Sequence, residues 1–501
     1  MNDLHFKTLT ELSEQIRMQS ISPVEVTRHL LERINELDPT LTSYVTVTAD
    51  LALRQASIAE DEISKGHWRS PLHGVPIALK DLISTKGITT TAGMSLHQDD
   101  VPLFDATVVQ RLDQAGAVLL GKLKTTEGAL FTHHPSVAPP RHPWNIDYWP
   151  GVSSSGPGVA VAAGLCFGAL GTDTGGSIRV PTGCCGLTGI KPTWGRVSRC
   201  GVFPLADSLD SVGPMARSAS DAAAILGVVA GNDSNDPTTL KASVPNYANQ
   251  ISDDIRGLRI GVDRAFATEG VHEEVVAALG ETEAAFIELG ADIREVTVPF
   301  SERMSEIFLV LCSTEAAAAH KETYPVHASE YGNELAELIE KGRKTSALQL
   351  AESLQERVRL VDSVSTMFRE IDLLLTPTLP FPVPRLDSID FKRMTIARGG
   401  AGSSPEDLYS ACLRFTSLFN CAGNPAISFP AGFSSSGMPI GMQLAGRHLE
   451  EELLLRTVHA FQKSTQWHTR HPVIPNERGG HKDHQDGFLN RRKHGGRAAT
   501  K

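Results

Sequence analysis

The chain has 501 residues, a formal net charge of −11, 21% charged residues and 41% hydrophobic residues. Those proportions belong to a globular protein long enough to bury a large core, and an acidic balance spread along the chain speaks against a broad nucleic-acid surface. The seven cysteines are odd in number, sit mostly among apolar neighbours and include no C-x-x-C, which speaks against a zinc ribbon or redox pair and predicts reduced core thiols.

The first residues, Met1 to His5, carry neither the basic start nor the apolar stretch of a signal peptide. No apolar run is long enough to span a bilayer. The expectation is a cytoplasmic protein with no membrane partner. Ser22-Pro23-Val24-Glu25 reads as a capping box with proline at the first helical position. The helix it opens has Val26, Leu30, Ile34 and Leu37 on one face, and a second helix is predicted over 48–64. Both are read as outer helices and as a candidate homodimer contact.

His73 to Asp81 predicts a short buried strand ending in Lys80. A lysine there either reaches solvent from the strand end or is buried, where an ammonium is costly unless paired or neutralised. Asp105-Ala106-Thr107 opens a helix to about Ala115, and Val118 to Lys122 follows as a strand. Such alternation predicts an α/β layered body. From Lys124 to Asn145 the chain is irregular and proline-rich, with His133, His134 and His142 close together. Adjacent histidines rarely converge on one ion, so a metal is not expected; the segment reads as a substrate-lining loop or as plain structure.

The most informative stretch is Gly151 to Gly176 and the residues just after it. Gly-Val-Ser-Ser-Ser-Gly-Pro-Gly at 151–158 and Gly-Thr-Asp-Thr-Gly-Gly-Ser at 171–177 flank an uncharged run, Val159 to Leu170, long enough for a helix. Glycine beside serine marks either a flexible linker or a backbone brought close to a ligand, its N–H groups aimed at developing negative charge. A linker is not threaded through so many apolar and small residues.

Gly171 to Arg179 resembles the signature of the amidase-signature family of serine hydrolases, which continues here through Cys185-Gly186-Leu187-Thr188-Gly189-Ile190-Lys191-Pro192-Thr193. The first half of the signature departs from the family: Val152 and Ser155 stand where glycine is usual, and Pro157 where serine is frequent. The resemblance runs from about Ser22 to His468. It implies an α/β fold with a large mixed twisted sheet covered by helices on both faces, in a single domain over 1–475. Within it, a helical stretch at 302–370 resembles the family least and is expected to shape the pocket entrance. Gly195 to Met215 is read as loop-rich, 218–230 and 273–289 as helices, and 258–262 and 293–298 as strands. Leu373 to Thr378 is read as a central strand, and 416–420, 425–432 and 439–443 match the family's closing strands. Residues 476–501 are too polar to fold and are expected to form a solvated tail.

The same resemblance implies the chemistry. No Gly-x-Ser-x-Gly elbow or Ser-x-x-Lys motif occurs. Ser177 matches the family's nucleophile and Lys80, in Gly-Val-Pro-x-x-x-Lys-Asp, its base. Ser153 matches the serine that bridges them, held on a cis bond, here after Val152; a shifted register would have Ser154 bridge instead. A hydroxyl needs a base to become a nucleophile, and burial makes a neutral lysine accessible. The N–H groups of Thr174, Gly175, Gly176 and Ser177 are expected to form an oxyanion hole. Asp173 and Arg179 are expected to fix the loop, with a surface salt bridge as the alternative, and Ser154 to support it. The expected function is an amidohydrolase acting on a small carboxamide, or on an anilide or carbamate, through a seryl acyl-enzyme without metal or cofactor. The alternatives are a glutaminase component of an aminoacyl-tRNA amidotransferase, similar to its A chain, or an inactive binding protein on the same scaffold.

Overall fold

Short apolar runs bounded by glycine, proline and polar residues become the strands of one large sheet. In the computed structural model, which describes residues 4–299, 304–396 and 406–474, the strands are β1 (Tyr44–Val47), β2 (Pro76–Lys80), β3 (Val118–Leu123), β4 (Gly168–Asp173), β5 (Thr188–Lys191), β6 (Ser211–Ala216), β7 (Arg259–Val262), β8 (Asp292–Glu295), β9 (Leu373–Pro377), β10 (Ile389–Asp390), β11 (Thr395–Ile396), β12 (Glu406–Asp407), β13 (Ala426–Phe433) and β14 (Pro439–Gly446). Eleven of them pair in the order β1-β3-β2-β4-β6-β5-β13-β14-β9-β7-β8, and β10, β11 and β12 make a small separate sheet. The large sheet is mixed: β2 runs parallel to β3 and β4, and β7 parallel to β8 and β9, while β13 and β14 form an antiparallel hairpin. The expected tail at 476–501 lies outside the described residues.

Helices cover both faces. Helices Ser155–Ala162 and Arg179–Cys185 pack on each other, and the second lies on β13 and β14. Helices Ala219–Val229, Glu451–Thr465 and Glu273–Glu288 form another packed set, of which the latter two also lie against β13 and β14. Strands buried on both faces read as continuous apolar runs, as β9 does with Leu373, Leu374 and Leu375 all buried. No described helix is long and apolar enough to cross a membrane.

Several elements form where the sequence predicted them, including helices Pro23–Leu41, Ala49–Ser64 and Thr107–Gln114. At Ser22 the side chain accepts from the Val24 and Glu25 amides, so the N-cap forms. Three expectations need correction. The run from Val159 to Leu170 is not one helix: the helix stops at Ala162, with Gly164 at positive φ, and β4 begins at Gly168. β9 is third from one edge of the sheet, not central. Residues 416–420 are not a strand, since Ser417–Cys421 is helical. The segment expected to be loop-rich also ends in β6.

Within the stretch expected to be helical, residues 304–370 form helices Met304–Ala319, Asn333–Lys344 and Ala347–Glu370. The first two pack so closely that a Cβ on Gly342 would overlap the Ser313 backbone carbonyl. Alanine normally favours a helix over glycine by about 1 kcal/mol. Here the overlap is with backbone and outweighs that gain, because overpacking typically costs about 1–3 kcal/mol. Gly342→Ala is therefore expected to lower stability by about 1–2 kcal/mol in denaturant unfolding; a variant more stable than the wild type would show that these helices can separate freely.

Candidate active site

The site lies where β2 and β4 end side by side. Because these strands are parallel neighbours, their carboxyl ends deliver Lys80 and Thr172-Asp173 to the same place, the usual ligand position in such sheets. Lys80 does not reach solvent; it is fully buried. Its Nζ donates to Ser153 Oγ at 2.8 Å and to Thr172 Oγ1 at 2.8 Å. Burial pushes the Lys80 ammonium down to about 7, against the pull of the Asp210 and Asp173 charges. Lys122 is a useful contrast. It is equally buried but has a carboxylate partner, Asp81 Oδ1 at 3.2 Å.

Ser153 stands just before helix Ser155–Ala162, and the Val152–Ser153 bond is cis. Ser154 does not bridge. Its hydroxyl donates to the Thr172 carbonyl at 3.2 Å, and its amide donates to the Ser177 carbonyl at 3.2 Å. Pro157 is accommodated because it lies in the first turn of that helix, where its missing N–H would have had no helical partner. Ser155, the other departure, meets His133 Nε2 at 3.1 Å and so ties the proline-rich loop to the serine loop.

Ser177 is half-buried and faces a narrow cavity. Among the described residues its hydroxyl makes no hydrogen bond, so the expected contact between Ser153 and Ser177 is not formed, although the contact between Ser153 and Lys80 is. Of the four amides expected to form an oxyanion hole, Gly176 is committed elsewhere: its N–H donates to Asp173 Oδ1 at 2.8 Å. The amides of Thr174, Gly175 and Ser177 have no partner among the described residues. Gly176 has φ +129°, and a Cβ there would come within 2.7 Å of Thr416 Oγ1, so the turn requires glycine.

Asp173 and Arg179 are fully buried, which rules out the surface salt bridge. Arg179 Nη2 and Nε donate to the Asp173 carboxylate at 2.9 and 3.0 Å. Arg179 Nη1 reaches the Thr416 carbonyl and Gln443 Oε1, and Nη2 reaches Asn420 Oδ1. Burial raises the Asp173 carboxyl, but the Arg179 charge and hydrogen bonds, helped by Asn420, outweigh it and hold the group well below the usual carboxylate range. Asp210 accepts from Thr174 Oγ1 at 2.5 Å, and burial raises it to about 6.

Sequence reasoning missed Thr172, Asp210, Thr416, Asn420 and Gln443. Thr172 sits inside the recognised motif and could have been noticed. The others come from distant segments and carry no local signal. The three histidines disperse: His133 meets Ser155, His134 Nδ1 meets Ser136 Oγ at 2.6 Å, and His142 Nε2 meets the Cys184 carbonyl at 3.0 Å. No cluster of metal-ligating side chains occurs among the described residues.

The cavity walls are apolar. Phe308 and Cys312 come from helix Met304–Ala319, Tyr409, Cys412 and Leu413 from helix Leu408–Leu413, and Ala129, Leu130 and Phe131 from the loop after β3. Among the described residues, no charged side chain lines it. The buried Glu127 fastens that loop to the helical stretch by accepting from the Gly332 amide at 2.9 Å.

A mixed sheet with this serine-rich loop and buried lysine defines an amide-bond hydrolase, and a sequence profile of the Amidase family matches residues 25–455. The chain belongs to that family. It is 43% identical over 466 residues to AmiD of Mycobacterium tuberculosis, named as a putative amidase, covering 93% of this chain and 96% of that one. It is 37% identical over 489 residues to the A chain of the glutamyl-tRNA(Gln) amidotransferase of Geobacter metallireducens, covering 92% and 98%. The crystal structure of a bacterial aryl acylamidase superposes with a TM-score of 0.83, at 27% identity, over 94% of this chain and all of that one.

The Asp173–Arg179 pair yields a stability prediction. Asp173→Asn keeps the shape but leaves a buried guanidinium without its counter-charge, which typically costs about 3–5 kcal/mol. Chemical denaturation is expected to show a loss of that size; a loss below about 1 kcal/mol, the scale of a surface pair, would mean that other groups neutralise Arg179.

Proposed function

We propose that this protein is an amidohydrolase that cleaves a carboxamide or anilide through a seryl acyl-enzyme, with Ser177 as nucleophile, Ser153 as bridge and Lys80 as base. The observation that carries this reading is the fully buried, carboxylate-free Lys80 amine held 2.8 Å from the Ser153 hydroxyl. Neutral Lys80 takes the Ser153 proton while Ser153 takes that of Ser177. The Ser177 oxygen bonds to the substrate carbonyl carbon, and the amides of Thr174, Gly175 and Ser177 stabilise the resulting oxyanion. The proton then returns through Ser153 to the amide nitrogen as the C–N bond breaks. Water releases the acyl group by the same relay. In the free enzyme the link from Ser153 to Ser177 is open, and such hydrogen bonds often tighten only when substrate binds. Asp173, Arg179 and Ser154 hold the loop in place, and the helical stretch at 302–370 shapes the acyl pocket through Phe308 and Cys312.

The Geobacter relative gives weight to a second reading, a glutaminase component of a tRNA amidotransferase. Against it stands the uncharged lining of the Ser177 cavity. Free glutamine carries an α-ammonium and an α-carboxylate, and burying either without a partner is costly. The apolar lining favours an apolar acyl group. Measuring ammonia release from glutamine, alone and with an amidotransferase partner, separates the two.

Ser177→Ala is expected to abolish labelling by a fluorophosphonate and to leave the circular dichroism spectrum unchanged. Labelling at the wild-type rate would remove Ser177 as nucleophile.

The pH dependence follows from Lys80. Only its neutral form accepts a proton, so kcat/KM is expected to fall as pH drops through about 7. Lys80→Ala is expected to lower kcat by about 10²–10⁴-fold, the usual worth of a general base, and to lose that acid limb. The same pH profile in both proteins would contradict the assignment.

A further inference from the structure

A second cavity, of about 270 Å³, lies directly beside the Ser177 cavity, and Phe131 and Val152 line both. Its walls include Phe131, Trp149, Phe391, Val137, Pro139 and Pro140. Phe131 and Trp149 stack at 5.8 Å with an interplanar angle of 23°. Among the described residues no carboxylate lines this space, and Arg141 is the one permanently charged residue in its wall. His133 and His134 also border it, and burial lowers both, His133 to about 3, so neither brings a charge at neutral pH. An ammonium group would find no counter-charge here. A flat uncharged ring would find aromatic faces and proline rings, the contacts that favour aromatic packing.

The position of the cavity decides which half of a substrate it serves. Trp149, Pro150 and Gly151, which lead into the Ser153 loop, line this cavity and not the Ser177 cavity. On the mechanism proposed above, Ser153 returns the proton to the departing nitrogen, so the amine must lie on the Ser153 side. The acyl group then occupies the space walled by Gly175, Phe308 and Leu413.

We propose that the second cavity is a leaving-group subsite and that the amine it takes is an uncharged aromatic one, which makes the substrate class an N-aryl carboxamide. This rests on the serine mechanism of the preceding section. A primary amide, whose leaving group is ammonia, leaves the subsite unused.

The test compares an anilide and a primary amide built on the same short apolar acyl group. The wild type is expected to have the higher kcat/KM for the anilide. Val137→Trp fills the cavity from its half-buried loop and is expected to lower the ratio of anilide to amide kcat/KM by about tenfold or more, within the range for a misfit in an apolar pocket. Val137→Ala enlarges the cavity and is expected to raise kcat/KM for the bulkier 2-naphthylamide relative to the anilide, which mere destabilisation would not do. An unchanged ratio in Val137→Trp overturns the subsite. So does a wild type that labels with fluorophosphonate and cleaves the primary amide but not the anilide, and in that case the serine mechanism stands. A wild type that neither labels nor cleaves either compound overturns both.

Discussion

Arg179 is a permanent cation with no exposed surface, and the loop carrying Ser177 is built around it. Its guanidinium meets Asp173 from the same loop, Thr416 and Asn420 from a distant helical turn, and Gln443 from β14. Asp173 in turn accepts from the amides of Gly176 and Ile178. A buried ion pair is weak evidence for stability, because desolvation offsets its attraction. Its effect here is on geometry. By occupying the Gly176 amide, the carboxylate leaves the Thr174, Gly175 and Ser177 amides as the donors of the turn without a partner among the described residues.

Three buried lysines show how environment sets chemistry. Lys122 has a carboxylate partner, together with the Ile83 carbonyl and the Thr90 hydroxyl as acceptors, an arrangement suited to a cation. Among the described residues Lys80 meets two hydroxyls, which can exchange protons with it. Lys191 donates to the Pro192 carbonyl at 2.9 Å. Burial and the nearby Arg179 charge lower it to about 7, while Asp173 and Glu451 oppose the change. It ends β5 rather than facing the cavity. Of the three, Lys80 alone combines a value lowered to about 7 with two hydroxyl partners.

Lys80 closes a strand and Ser153 stands just before a helix, whereas the walls of the Ser177 cavity come from the loop after β3 and from helices Met304–Ala319 and Leu408–Leu413. The loop after β3 is fastened at two points to the helix that begins at Asn333: Glu127 holds the Gly332 amide, and Glu334 accepts from the Thr132 amide and hydroxyl. Lys80 and Ser153 are therefore held by different parts of the chain from those that wall the cavity.

Much of this was legible in the sequence. Periodicity and caps placed most helices and strands, because those signals depend on neighbours a few residues apart. The match around Gly171 to Arg179 pointed to Ser177, and the family pattern Gly-Val-Pro-x-x-x-Lys-Asp pointed to Lys80; the apolar strand by itself left open whether that lysine was buried or reached solvent. The run from Val159 to Leu170 misled, since small apolar residues suit either a buried helix or a buried strand, and only the packing against β2 and β6 decided where one ended. Tertiary structure alone decided that Arg179 is buried rather than on the surface, because Thr416, Asn420 and Gln443 lie more than two hundred residues away in the chain. It also committed the Gly176 amide to Asp173 and left Ser177 free of Ser153, since both depend on small distances set by the whole fold. The sequence by itself determined which residues could do the chemistry; the packing of distant segments determined which of them meet, and what shape of amide can reach them.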